Sequence, residues 1–491
     1  MSGPLAYALR ERLSTPLPCS ASITLPPTGR CGMVSRSTDP GAAMEPIDTL
    51  LLAEWLVPLD EAICADDVLA QGAVAIRDGR IVAICSRDQA MERFAPARTV
   101  DRPGHVLMPG LVNAHTHAAM TLLRGLADDL PLKPWLEEHI WPAETRWVSP
   151  AFVRDGVELA VVEMLRSGTT CFGDMYFFPD VAAQVVAASG IRASIGMVVF
   201  DMPTAWADDV DDYLRKGLDV RDAYKGDALV SMMFTPHAPY TVSPDTMGRI
   251  RRLSDQLEVP VQTHLHETAA EIEHFASAHG CRPLEKMAQL GLLSPLMMAV
   301  HLTQAQPQEL GILADTGCHV VHCPESNLKL ASGACPVAAL QDAGVNVALG
   351  TDGAASNNDL DLFAEMRTAA LLAKHTAADP AALPAAAALR MATINGAQAL
   401  GLGEQTGSLT PGKWADVICV DMGSANCHPM YHLLSQLVYA TNAAQVRDVW
   451  VAGRQLVDDR ELTRMDVADV LHRASIWQSR IAASDQQRHS G

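Results

Sequence analysis

No stretch of the 491-residue sequence reaches the ~18 consecutive apolar residues of a membrane-spanning helix. Positive charge is scarce. Lys and Arg total 37 against 57 Asp and Glu, a formal net charge of -20. Surfaces for nucleic acid or anionic membrane need clustered Lys and Arg, so neither partner is expected. Paired cysteines are lacking too. The 11 cysteines are scattered singly, with no C-x-x-C, and reduced thiols in the cytoplasm are the expectation. Residues 1–30 carry prolines and charges but no compact apolar core, so no export signal is read. What is plentiful is apolar side chain, at 48%. That excludes global disorder and permits one large barrel with an accessory domain.

Residues 1–45 hold six prolines and many Ser and Thr, without an apolar period. They are expected to be a disordered or misassigned extension, with Met33 or Met44 as the true start. Residues 46–107 look like short strands joined by turns. "GAVAIRDGRIVAIC" sets two β-rich arms around Asp78-Gly79, a hairpin signal. A second β-rich part spans 407–460. The two parts are expected to pair into one small β-sandwich made from both chain ends. Between them, 108–406 alternates short apolar runs with Ala- and Leu-rich stretches, the pattern of a parallel sheet covered on both faces. About 300 residues of this suit an α/β fold of the (β/α)8, TIM-like barrel type. "AADPAALPAAAA" reads as a helix interrupted at Pro384, and 461–491 as a closing helix and tail.

Several apolar runs end in side chains able to hold a metal or move a proton. "GLVNAHTHAAM" ends its run in His115 and His117. "LVSMMFTPH" ends in His237, "VPVQTHLHE" in His264 and Glu267, "MMAVH" in His301 and "VNVALGTD" in Asp352. In α/β barrels the active site forms at these C-terminal strand ends. Residues i and i+2 of a strand share a face, so His115 and His117 can aim two imidazoles, about 7 Å apart along the backbone, at one ion. A lone H-x-H is often two loop histidines. The repeated coincidence at successive strand ends favours a metal site.

Together "PGLVNAHTHAAMTLLRG", "THLHET", "AVHLTQ" and "LGTDGAASNNDLDLFAEMR" resemble the amidohydrolase superfamily. Within it, the chain resembles the 5'-methylthioadenosine/S-adenosylhomocysteine deaminase group, alongside the triazine hydrolases, over residues 46–460. The resemblance implies one divalent metal per subunit on His115, His117, His264 and Asp352. Zinc fits three nitrogens and one oxygen with an open water position, and iron or manganese are the alternatives. Relatives with two metals use a lysine ending the fourth strand. No lysine occurs between Lys225 and Lys286, so a single metal is expected.

The resemblance also implies catalytic roles for Glu267, His301 and Asp352. The metal lowers the water pKa, Asp352 and His301 take its proton, and protonated Glu267 donates to adenine N1. For substrate it implies Glu144 on ribose hydroxyls, His237 near the reacting ring and Trp135 as a wall, with Glu267 and Asp352 also touching the nucleoside.

Plainer readings stand beside these. Glu144 could be an exposed helix-start residue, Trp135 core, and His237 a strand cap. His266 should face the helix layer, and His322 should be a hydrogen-bonded wall residue. Asn327 could be a turn residue or could align the site. Cys171 and Cys323 read as small core residues. Segment 200–216 is either a solvated helix start or a lid in which Met202 and Trp206 favour a methylthio group over an amino-acid tail. Some relatives bind such a tail's carboxylate with an arginine, for which Arg192 is the nearest candidate.

The leading expectation is a hydrolytic adenosine-type deaminase in the cytoplasm, acting on a small-molecule nucleoside, with a homo-oligomer open. The alternatives are a guanine, 8-oxoguanine or triazine hydrolase using the same metal, and a non-catalytic scaffold. Cytidine-type zinc deaminases use H-x-E with P-C-x-x-C, and neither string occurs.

Overall fold

The structure is a computed structural model that describes residues 43–60 and 68–489, with side chains to 483. Of the extension expected over residues 1–45, residues 1–42 lie outside the described residues, and Glu45 already belongs to the first strand. The chain opens with β1 (Glu45–Leu56), β2 (Leu69–Arg77), β3 (Arg80–Ser86) and β4 (Phe94–Pro109). Asp78 (φ 52°) and Gly79 (φ 74°) both adopt positive φ between β2 and β3. That is the turn whose twist matches an antiparallel hairpin.

Eight further strands follow: β5 (Leu111–Thr116), β6 (Thr169–Asp174), β7 (Arg192–Val199), β8 (Val230–Pro236), β9 (Val261–Leu265), β10 (Met297–His301), β11 (His319–His322) and β12 (Val347–Leu349). They are hydrogen-bonded in chain order, each parallel to the next. Nearly every residue in them is buried, which explains why they read as unbroken apolar runs. Side-chain and loop bonds join the two ends of this sheet. Asn113 Nδ2 donates to Thr351 Oγ1 (2.8 Å), the Thr351 amide donates to Asn113 Oδ1 (3.0 Å), and the Asp352 amide donates to the His115 carbonyl (3.1 Å). Gly350 permits that approach, because a Cβ there would stand 2.8 Å from His115 Cβ.

The helices between strands start and stop on local signals. Ser149 and Ser243 cap Pro150–Arg166 and Pro244–Leu257, each with proline in the first turn. Gly190, Gly280 and Gly317 end other helices in the left-handed conformation. Pro384 stands just before a new helix, Ala385–Met391, which is separate from Leu362–Ala377.

The chain returns through β13 (Val417–Asp421), β14 (Val446–Val451), β15 (Arg454–Asp458) and β16 (Glu461–Leu462). These join the first four as one mixed sheet, in the order β16-β15-β14-β13-β4-β1-β2-β3. The small β-unit is therefore built from both chain ends. It is a single continuous sheet, bent until the β3 edge meets the 412–414 turn through Ile81 and Gly412. Residues 407–416 are turn and loop, and the closing helix runs Val467–His489. Trp477 anchors that helix through an Nε1 hydrogen bond to Asp155 Oδ2 (2.7 Å).

Arg192 opens β7 and is fully buried. Its guanidinium grips Asp416, just before β13, at 2.8 and 3.1 Å. The pair bolts the barrel to the mixed sheet. Arg192 is thus committed to structure and corrects the suggestion that it could receive a substrate carboxylate.

Candidate metal centre and substrate cavity

The strand pattern delivers the polar side chains to one rim. His115 lies in β5, with His117 just beyond it. His264 lies in β9, His301 ends β10, and Asp352 stands three residues past β12. The ligand atoms of His115, His117, His264 and Asp352 all fall within 4.8 Å of one another. His301 (φ 76°) and Asp352 (φ 64°) hold left-handed backbone, a cost of about 1–3 kcal/mol each that is typical of functional positions.

The donor chemistry fits a divalent ion. His115 Nδ1 donates to Gln262 Oε1 (2.7 Å), whose orientation is fixed because its Nε2 donates to the Ala114 carbonyl (2.9 Å). His117 Nδ1 donates to the Met175 carbonyl (2.6 Å), and His264 Nδ1 to the His237 carbonyl (2.9 Å). All three acceptors are oxygens, so in each neutral ring the Nε2 atom carries the lone pair. His115 Nε2 and His264 Nε2 nevertheless face each other at 3.1 Å. Asp352 Oδ1 stands 3.1 Å from His117 Nε2 and 3.5 Å from His115 Nε2. Lone pairs converge on one point, which calls for a cation there.

The electrostatics agree. Burial, and then the neighbouring histidines, hold His264 well below its usual pKa, and burial takes His115 down to about 4. Burial also opposes charge on His117, yet Asp352 beside it lifts that ring to about 9. In the metal-free chain a proton fills the demand for positive charge. For Asp352, burial is outweighed by His115 and His117, so its carboxyl stays well below the usual range. Ser326 Oγ (2.6 Å) and Ser356 Oγ (2.8 Å) both donate to Asp352 Oδ2, leaving Oδ1 toward the histidines. The fourth strand, β8, contains no lysine.

Beside the cluster, Glu267 Oε2 lies 3.8 Å from His301 Nε2. Burial, reinforced by Asp352, pushes Glu267 up to about 8. Asn327 Oδ1 accepts from His301 Nδ1 (2.8 Å), and Asn327 lies in the helix Pro324–Lys329 and not in a turn. These groups open into a cavity of about 460 Å³ that also reaches Trp135, Glu144, Tyr176 and His237. Trp135 Nε1 donates to the Ala127 carbonyl (3.1 Å), holding the indole as a wall. His237 stacks on Phe200 (4.8 Å between centroids), and its Nδ1 pairs with Thr241 Oγ1 (2.9 Å). Burial raises Glu144 to about 7 against the pull of the Tyr176 hydroxyl.

His115, His117, His264 and Asp352 form the cluster, and Trp135, Glu144, His237 and Glu267 lie on the cavity. Met202 lines the cavity as well. Trp206 does not, packing instead on Phe178 (5.3 Å) with Lys216 above it. His266 points into the helix layer, where its Nε2 accepts from the Leu284 amide (3.1 Å). His322 is fully buried, but neither ring nitrogen has a partner, which corrects the expectation of a hydrogen-bonded wall. Gln262, Ser326, Ser356 and Tyr176 were not anticipated. Only Gln262 carried a local signal, standing two residues before His264 and so on the same strand face.

A family model described as the amidohydrolase family matches residues 106–456. A protein of Teredinibacter turnerae named 5-methylthioadenosine/S-adenosylhomocysteine deaminase is 49% identical over 89% of this chain and 98% of its own length. Its namesake from Saccharophagus degradans is 48% identical over 91% and 99%. The crystal structure of an adenosine deaminase from Xanthomonas campestris with bound zinc superposes with a TM-score of 0.88 at 51% identity. It covers 90% of this chain and 100% of that one. A zinc complex of atrazine chlorohydrolase from Arthrobacter aurescens gives 0.80 at 22% identity, over 88% and 100%, a likeness of fold alone. The matched family model, the identity to these relatives and the matched length agree: this chain belongs to the amidohydrolase family.

Proposed function

We propose that this protein is a metal-dependent deaminase that replaces the 6-amino group of adenosine-type nucleosides with oxygen, releasing ammonia. 5'-Methylthioadenosine is its first candidate substrate, with S-adenosylhomocysteine and adenosine as companions. The observation that carries this is one cavity joining the four-ligand cluster, the Glu267–His301 pair and Glu144. The similarity to deaminases at up to 49% identity supports the same reaction.

His115, His117, His264 and Asp352 would hold one divalent ion, zinc by ligand type. A bound zinc ion supplies a nucleophilic water at neutral pH. The chain's own groups then manage the protons. Water adds to C6 of adenine while Asp352 and His301 take up its proton. His301 is suited to this because its Nδ1 proton goes to Asn327, leaving the Nε2 lone pair free. Glu267, buried and protonated, donates to N1, so the ring need not hold negative charge. The proton on Asp352 passes to the amino group, which leaves as ammonia, and the C6 hydroxyl returns its proton to Glu267 as the C6 carbonyl forms. His237 and Trp135 would bound the purine, and Glu144 would accept from ribose hydroxyls.

We further place the protein in the cytoplasm as a small-molecule enzyme without a nucleic-acid partner, with self-association open. Its 8 described cysteines are free thiols, 6 of them buried. The test is a panel of nucleosides and bases with zinc-loaded protein, scored by ammonia release and by loss of adenine absorbance. Turnover of methylthioadenosine is expected. Turnover confined to guanine, 8-oxoguanine or a triazine would replace this reading with the alternative chemistry. No turnover by a zinc-loaded, folded preparation would favour a scaffold.

A further inference from the structure

Tyr176 is buried to 5% exposure on the cavity wall, and its hydroxyl donates to Glu144 Oε1 at 2.7 Å. It belongs to the consecutive run Asp174-Met175-Tyr176, which leaves the end of β6. Asp174 Oδ1 receives the Ala118 amide (2.7 Å) and Thr116 Oγ1 (3.2 Å), fixing the turn around His117. The Met175 carbonyl takes the His117 Nδ1 proton (2.6 Å). Tyr176 then reaches out to Glu144, which sits on the separate helix Trp141–Trp147. Three adjacent residues thus connect a candidate metal ligand to a carboxylate on another element. Among the described residues, the Tyr176 hydroxyl is the one side-chain hydrogen bond shown to Glu144.

We infer that Tyr176 is a positioning residue, which sets the place of the Glu144 carboxylate so that it reads the 2'- and 3'-hydroxyls of a ribose. This rests on the deaminase reading above for the identity of the ligand. A carboxylate has about four acceptor sites over two oxygens. The tyrosine occupies one on Oε1 and leaves the others for the two donors of a cis-diol. A hydroxyl that only donates to Glu144 also favours its ionised, all-acceptor form. The recognition is therefore specific in chemistry: a vicinal diol gains from it, and a sugar without hydroxyls does not.

The test uses Tyr176→Phe in the full-length, zinc-loaded protein. Calorimetry reads the Kd of inosine and of 2',3'-dideoxyinosine, and kinetics read KM and kcat for adenosine. Inosine should bind about tenfold more weakly, the effect of losing one hydrogen bond that orients a charged group. Dideoxyinosine should bind as it does to the parent protein, and kcat should hold while KM rises. In a Glu144→Ala background the same substitution should add nothing. Equal weakening of both ligands, or unchanged inosine binding, overturns the inference. If the parent protein itself binds the two ligands equally, the sugar-reading role of Glu144 fails and Tyr176 loses its role with it. Discrimination between the ligands without deamination of any nucleoside would defeat the deaminase reading and leave the diol recognition standing.

Discussion

His115 Nε2 and His264 Nε2 face each other at 3.1 Å, and burial keeps both rings neutral while each donates its Nδ1 proton to a fixed oxygen on the far side. Two aligned lone pairs at that distance repel. Asp352 Oδ1 adds negative charge to the same point. The barrel rim is folded around a position that only a cation satisfies.

Removing divalent metal with a chelator should therefore abolish turnover and lower the melting temperature. One equivalent of zinc should restore both, since an ion that binds only the folded state stabilises it. His115→Ala should fail to retain zinc by elemental analysis. A metal content near zero in an active, folded preparation would contradict the assignment.

Gln262 is expected to matter although it does not touch the ion. Its carbonyl fixes the His115 tautomer. Gln262→Leu should weaken zinc binding by about 10- to 100-fold, the usual effect of losing an outer partner. Competition with a chelating dye measures it. Unchanged affinity would mean that the ring is oriented by packing alone.

Glu267 sets an alkaline limit. Burial and then Asp352 raise its pKa to about 8 in the metal-free chain, and the charge of a bound cation draws it down from there. The useful form is the protonated one, so kcat/KM should fall as pH rises through that pKa and stay high below it, until another group titrates. Glu267→Gln cannot deliver the proton and should lose about 10²- to 10⁴-fold in kcat. A pH profile flat to pH 10 would remove Glu267 as the donor.

The lining of the cavity bears on the 5' group. Leu132, Leu136, Met202 and Phe200 are among its lining residues, and no Lys or Arg is, among the described residues. A thioether is at home there, whereas the carboxylate of an amino-acid tail finds no cation. Methylthioadenosine should exceed S-adenosylhomocysteine in kcat/KM by about tenfold or more, corresponding to about 1.4 kcal/mol. Comparable values would show that the tail is held by a group beyond this lining.

Arg192 provides a control far from the chemistry. Breaking its buried pair with Asp416 should cost about 3–5 kcal/mol, because a charge is left without its partner. Arg192→Met should lower the denaturation midpoint while leaving the preference between those two nucleosides unchanged. A shift in preference would return Arg192 to the substrate.

The residues His115, His117, His264, His301 and Asp352 were legible because each stands at or beside the end of an apolar run, and a parallel barrel gathers such ends by its topology. The Asp78-Gly79 hairpin was legible because only a few residues accept two successive positive φ values. Partners contributed from elsewhere in the chain were not. Ser326 reaches Asp352 across 26 positions, and Tyr176 reaches Glu144 across 32. Serine and tyrosine are common and carry no spacing rule. Arg192 was misread for the same reason, since its partner lies 224 positions away.

Sequence by itself determined the barrel, the small sheet from both chain ends and the identity of the side chains at the rim. Periodicity and strand-end chemistry are local properties of the chain. Tertiary structure alone decided which oxygen holds each imidazole proton, which rim groups share one cavity, and that Arg192 serves the fold. Those outcomes depend on hydrogen-bond geometry between distant segments, and proximity of that kind exists only after the chain has folded.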